Sequence, residues 1–78
     1  MHIALITGAA SGLGWALARL YHDQGYGLLL TDINASGLAA RVAELGAQRV
    51  MGLAGDITDT ALHQQLLQAC NERFGRLD

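Results

Sequence analysis

The chain has 78 residues, 51% of them hydrophobic and 15% charged, with a formal net charge of −2, an ordinary globular balance with no disordered or low-complexity character. Its only basic side chains besides histidine are arginines scattered at positions 19, 41, 49, 73 and 76, so no basic patch points to nucleic acid, and the single cysteine, Cys70, excludes an internal disulfide and a multi-cysteine metal site. No apolar run reaches membrane-spanning length, and "MHIALIT" lacks the charged start of a signal peptide, so a cytoplasmic location without a membrane partner is expected.

Residues 2–7, "HIALIT", form a continuous apolar run bounded by glycine, the pattern of a strand covered on both faces. From Leu13 the period becomes helical: Leu13, Leu17 and Leu20 recur on one face with Ala16 between them, and Gly25 ends the helix. "GLLLTD" (27–32) predicts a second strand. Leu38, Val42 and Leu45 mark a second amphipathic helix stopped by Gly46. "RVMGLAGD" (49–56) predicts the third strand, although its two glycines are poor strand formers. From Asp59 to Phe74, Leu62, Leu66, Cys70 and Phe74 step by four along a third helix, and Gly75 follows.

Strands alternating with helices at this spacing predict βαβ units and an α/β fold with a parallel sheet. Right-handed crossovers then step the strands outward in the order 3-2-1, with the first two helices on one face and the third on the other. A domain this small is marginal when isolated. The outer edge of "HIALIT" carries no lysine or proline to protect it, so self-association through that edge, or a partner supplying a further strand, is expected.

The turn after the first strand holds most of the chemical information. Gly8, Gly12 and Gly14 fall within seven positions, where a helix must begin and where each glycine costs about 1 kcal/mol relative to alanine. The first N–H groups of a helix have no intrahelical partner, and the helix dipole there favours an anion. Gly8 would let the chain leave the strand sharply, Ala9 and Ala10 would keep the turn narrow, Gly12 would admit a pyrophosphate, and Gly14 would let the helix pack on the sheet. The alternative is a connection that is glycine-rich for packing alone. Asp32 ends the second strand, 24 residues after Gly8 and 18 after Gly14. That distance suits a carboxylate bonding the ribose hydroxyls of an adenine dinucleotide; the alternative is a turn or capping residue before the second helix.

Taken in order, "TGAASGLG", "TDIN" and "GDITD" resemble the N-terminal segment of a short-chain dehydrogenase/reductase, over essentially the whole chain. The resemblance implies a partial Rossmann fold, with residues 1–78 as the N-terminal half of a dinucleotide-binding domain that stops before strand four. It implies that Ser11 and Leu13 join Gly8, Gly12 and Gly14 around a pyrophosphate, and that Ile33 accompanies Asp32. Asp56 would accept a hydrogen bond from the adenine amino group and the Ile57 backbone would complete that contact, unless Asp56 serves instead to cap the third helix, a role open equally to Thr58 or Asp59. NAD is expected over NADP. A 2′-phosphate about 4 Å from Asp32 would cost on the order of 4 kcal/mol per unit pair at an effective dielectric near 20. Moreover, position 11 is serine and position 33 isoleucine, so neither supplies a compensating cation.

In that family a Tyr-x-x-x-Lys pair and a serine carry out hydride transfer between a nicotinamide and an alcohol or carbonyl group. This chain has no lysine; Tyr21 and Tyr26 are followed four places on by Gly25 and Leu30, and Ser11 and Ser36 belong to the turn and the second helix. The expectation is therefore a cofactor-binding part of an NAD-dependent oxidoreductase, with no catalytic residue of its own, meeting a small-molecule substrate only in a full-length form. The alternative is a non-catalytic nucleotide-binding or interaction module docking through its open sheet edge. A P-loop is set aside for want of lysine, and a methyltransferase because its first strand would end in an acid where Thr7 stands. His2, His22 and His63 are too dispersed for a metal, and Trp15 is expected to pack.

Overall fold

The computed structural model describes residues 2–46, 48–56 and 58–74. Six elements alternate along the chain: β1 (Ile3–Thr7), α1 (Gly12–Asp23), β2 (Gly27–Asp32), α2 (Ala35–Leu45), β3 (Val50–Ala54) and α3 (Thr60–Arg73). The strands form one parallel sheet in the order β1-β2-β3, which is the 3-2-1 order expected. Its register pairs Ile3 with Gly27 and Thr7 with Thr31, then Leu28 with Val50 and Asp32 with Ala54. The carboxyl ends of all three strands are thereby brought level, and β1 and β3 form the two edges.

Side chains alternate along the strands and divide the core in two. On one face Ile6, Leu28, Leu30 and Val50 pack with Ala18 of α1 and Leu38 of α2. On the other, Ile3 and Leu29 pack with Leu62, Leu66 and Cys70 of α3. The four-residue steps read from α3 are thus its buried stripe, with Phe74 half-buried beside it, whereas Gly75 lies outside the described residues.

The apolar face expected for α1 is not the face that packs. Leu13 is 75% exposed and Leu20 51%, and Leu17 and Ala16 also face outward. Ala18 is fully buried instead, with Trp15 and Tyr21 packed beside it. The reason is the closeness of the helix to the strand end. A Cβ on Gly14 would collide with the Gly8 carbonyl oxygen and stand 2.7 Å from the Gly8 carbonyl carbon and 2.9 Å from the Thr7 oxygen. A helix seated this tightly has room beneath it for alanine, not leucine.

The helix ends follow local chemistry. Gly25 takes φ +88°, its N–H donates to the His22 carbonyl, and the Tyr26 N–H reaches back to the Tyr21 carbonyl. This is a Schellman closure, supported by the Tyr21 and Tyr26 rings at 4.9 Å between centroids. Asn34 caps α2, its Oδ1 accepting from the Gly37 N–H at 3.0 Å, and Gly46 closes that helix with φ +90°. Asp59 caps α3 by accepting from the Ala61 N–H at 2.9 Å, so the capping role left open for Asp56 belongs to Asp59. β3 is shorter than the predicted 49–56. Its glycine at 52 answers to α2: an added Cβ would stand 2.8 Å from the Val42 Cγ2. No helix among the described residues is long and apolar enough to cross a membrane.

Candidate functional site at the carboxyl ends of the strands

Of the three loops that leave the sheet at its carboxyl end, those after β1 and β3 are tied to β2 by main-chain bonds that prolong the ladder. The Ala9 N–H donates to the Thr31 carbonyl at 3.1 Å, and the Gly55 N–H donates to the Asp32 carbonyl at 3.0 Å. Thr31, the one polar residue in the buried part of β2, donates its hydroxyl to the Leu53 carbonyl at 2.7 Å and so satisfies itself within the sheet. Between the loops opens a cleft of about 250 Å³ lined by Gly8, Thr31, Asp32, Ile33, Gly55 and Asp56. It lies outside the carboxyl ends of parallel strands, where open α/β sheets take their ligands.

The glycine turn has the conformations its residues permit. Gly8 and Gly12 lie at φ +62° and +60°, where a side chain would be strained, and Gly14 makes the close backbone approach described above. Ser11 stands at the N-cap of α1 in extended conformation, yet its side chain makes no capping bond, and the first turn carries no acid. Neither the cap nor the first turn of the helix therefore supplies a side chain that neutralises its N-terminal dipole. Ser11, Gly12 and Leu13 are exposed at this helix start.

Asp32 is the electrostatic centre of the cleft. Its Oδ1 accepts from the Asn34 N–H at 2.9 Å and its Oδ2 from the Ala10 N–H at 3.0 Å. These two main-chain donors, Asn34 first and Ala10 second, hold the carboxyl below its ordinary value, outweighing a small opposing effect of burial. Asp32 is thus a fixed anion, with each oxygen keeping further acceptor capacity. Asp56 faces the same cleft from the β3 side. Its Oδ1 accepts from both the N–H and the hydroxyl of Thr58, at 2.9 and 2.8 Å, and these bonds lower its carboxyl as well, the main-chain bond most. Ile33 is 75% exposed at the rim. Ile57 lies outside the described residues.

The structure therefore gathers Gly8, Asp32, Ile33 and Asp56 around one cleft, with Gly12 and Gly14 shaping the adjoining turn. Sequence spacing missed Thr31 and Gly55 in the lining, and it missed Arg41. From α2, Arg41 donates Nε to the Ala10 carbonyl at 2.9 Å and lays its guanidinium 4.4 Å from the centre of the Trp15 ring. A contact between residues 31 apart leaves no mark in local spacing. Among the described residues no group of three or more histidine, cysteine, aspartate or glutamate side chains is arranged to hold a metal.

A parallel βαβαβ sheet, a glycine turn opening a helix and an acid at the end of the second strand define the class of dinucleotide-fold proteins. Within that class the short chain dehydrogenase family profile matches residues 2–78, and the chain belongs to that family as an N-terminal segment of it. It is 42% identical over 78 residues to a D-threitol dehydrogenase of Mycolicibacterium smegmatis, covering 97% of this chain and 30% of that protein. Among solved structures it resembles a short chain dehydrogenase/reductase from Burkholderia phymatum in complex with NAD, with a TM-score of 0.92 and 37% identity, covering 97% of this chain and 28% of that one. It also resembles a 3-ketoacyl-(acyl-carrier-protein) reductase from Brucella melitensis complexed with NADH, with a TM-score of 0.93 and 30% identity, covering 99% and 31%. The chain thus spans about 30% of the length of the relatives it matches.

Proposed function

We propose that this chain is the adenosine- and pyrophosphate-binding part of an NAD-dependent oxidoreductase acting on an alcohol or carbonyl group. Residues 1–78 would form the first half of the cofactor domain, working in the cytoplasm. The observation that carries this reading is the Asp32 carboxylate, held by two main-chain donors and facing the cleft beside the glycine turn. In this reading Asp32 accepts the adenosine ribose hydroxyls, with Ile33 packing at the rim. Asp56 and the Ile57 backbone take the adenine edge, and Gly8, Ser11, Gly12, Leu13 and Gly14 surround the pyrophosphate at the α1 N-terminus. The nicotinamide complexes of two structural relatives support the ligand class.

Asp32 also supports NAD over NADP, because a 2′-phosphate would meet an ionised carboxylate. The cation that folding brings nearby, Arg41, already directs Nε to the Ala10 carbonyl and Nη1 to Glu44. Hydride transfer itself is assigned to residues other than those of this chain. Titration with NAD, NADP and ADP-ribose, followed by Trp15 emission or calorimetry, tests the reading. Asp32→Ala is expected to weaken NAD binding by about 1.5–3 kcal/mol through lost charge-assisted bonds. Equal affinity for the variant, or tighter NADP than NAD in the wild type, would overturn the assignment.

A second reading, an interaction module, is favoured by the open edge of β1 together with the exposed Leu13, Leu17 and Leu20 on the neighbouring helix. Under it the chain self-associates through that edge. Size-exclusion chromatography showing a folded monomer at high micromolar concentration would count against it.

A further inference from the structure

Ala10 is held from both sides. Its N–H is bound to Asp32 Oδ2 at 3.0 Å and its carbonyl to Arg41 Nε at 2.9 Å. Ala10 itself is buried, and an added Cβ on Gly37 of α2 would stand 3.4 Å from the Ala10 methyl, so the helix that carries Arg41 also packs against this turn. Arg41 in turn has a fixed seat. Its guanidinium lies over the Trp15 ring at 4.4 Å and its Nη1 meets Glu44 Oε2 at 3.2 Å. A guanidinium lying over an indole and donating through Nε is held by two partners at once, which limits how far the donor can move. A chain of contacts thus runs from Trp15 on α1, through Arg41 on α2, to the Ala10 peptide and on to the Asp32 carboxylate.

We propose that Arg41, seated on Trp15, is a positioning residue that holds Ala10 in place and through it fixes the Asp32 carboxylate in the single orientation that accepts a ribose diol. The proposal rests on the adenosine reading of the cleft given above and adds a residue that lies outside the lining of that cleft. Its physical content is orientational. The Asn34 bond, and a weaker main-chain interaction with Ile33, do not run through Arg41, so losing the latch leaves the charge in the cleft but frees the plane of the carboxylate to turn about those remaining anchors. A diol needs two acceptor directions at once, so it loses more from this freedom than a ligand with a single hydroxyl.

The test compares ADP with 2′-deoxy-ADP on the full chain, for wild type, Arg41→Met, Arg41→Gln and Asp32→Ala, by calorimetry. Amide exchange at Ala10 and a thermal scan are recorded in parallel. Arg41→Met keeps the aliphatic stem on Trp15 and removes the donor, while Arg41→Gln keeps a donor too short to reach both partners. Wild type is expected to prefer ADP by about tenfold, the scale of a charge-assisted bond. Both Arg41 variants are expected to reduce that preference to about twofold while exchange at Ala10 quickens, an effect a general loss of stability would not confine to the 2′-hydroxyl.

A preference kept at wild-type size in both Arg41 variants overturns the proposal, whether or not Ala10 exchange changes. A wild type that shows no preference, matched by Asp32→Ala, removes the ribose reading itself and the proposal with it. The two failures are therefore told apart by the wild-type ratio alone.

Discussion

Gly14→Ala sets two effects of opposite sign against each other, and the structure decides between them. Alanine in a helix interior is favoured over glycine by about 1 kcal/mol, so propensity alone predicts a more stable chain. The added methyl, however, would strike the Gly8 carbonyl oxygen and stand 2.7 Å and 2.9 Å from the Gly8 carbonyl carbon and the Thr7 oxygen. All three are main-chain atoms at the end of β1, and they have no rotamer by which to withdraw. α1 would have to lift from the sheet, loosening Ala18 and Trp15 from the core they join. Overpacking of this kind costs about 1–3 kcal/mol, and the backbone nature of the obstacle puts Gly14→Ala at the upper end of that range. Less the propensity gain, a net loss of about 2 kcal/mol is expected, which lowers the thermal midpoint by roughly 8–15 °C for a domain of this size. Urea unfolding followed by far-UV circular dichroism measures it. Ala16→Gly, on the exposed face of the same helix, isolates the propensity effect and is expected to lose about 1 kcal/mol. A Gly14→Ala chain more stable than wild type would show that α1 does not rest on the β1 carbonyls, and would refute the packing account of its buried face.

Acid sensitivity follows from the two lowered carboxyls. Asp32 and Asp56 have folded-state values below the ordinary 3.8, so each contributes stability that is present above that value and lost as the pH falls through its depressed one. Asp32→Asn is expected to flatten the acid limb of a stability-against-pH curve below pH 3.8; an unchanged limb would contradict the two main-chain bonds. Gly25→Ala forces a side chain to φ +88° at the Schellman closure and is expected to cost about 1 kcal/mol, read from the denaturation midpoint. Thr31→Val keeps the buried shape but deletes the 2.7 Å bond to the Leu53 carbonyl, with an expected loss of about 1 kcal/mol and faster amide exchange along β3.

The alternation of elements, the strand order and the sides taken by the helices were legible because each rests on a local period or a handedness rule. Leu62, Leu66 and Cys70 show this well: a four-residue step in the sequence became the buried stripe of α3. α1 shows where such a reading stops. Leu13, Leu17 and Leu20 make the stronger apolar pattern, but the face that packs was chosen by Gly14 and Ala18, since the distance between helix and sheet selects small residues over large ones. At the candidate site, Gly8, Asp32 and Asp56 were legible because turn chemistry and strand ends are local. Arg41 was not. Its partners lie on α1 and the turn before it, and only the folded chain makes them neighbours.

The bonds from Ala9 to Thr31 and from Gly55 to Asp32 have a consequence for how such a cleft can change. They join peptide groups, so the walls are set by the main chain, whatever side chains look into the space between them. Substituting Ile33, exposed at the rim, changes the lining without asking the scaffold to refold around the new residue, whereas Asp56 also holds Thr58 through two bonds. In a cleft framed in this way the shape is written in main-chain atoms and the chemistry of the lining in others, so the two can vary separately.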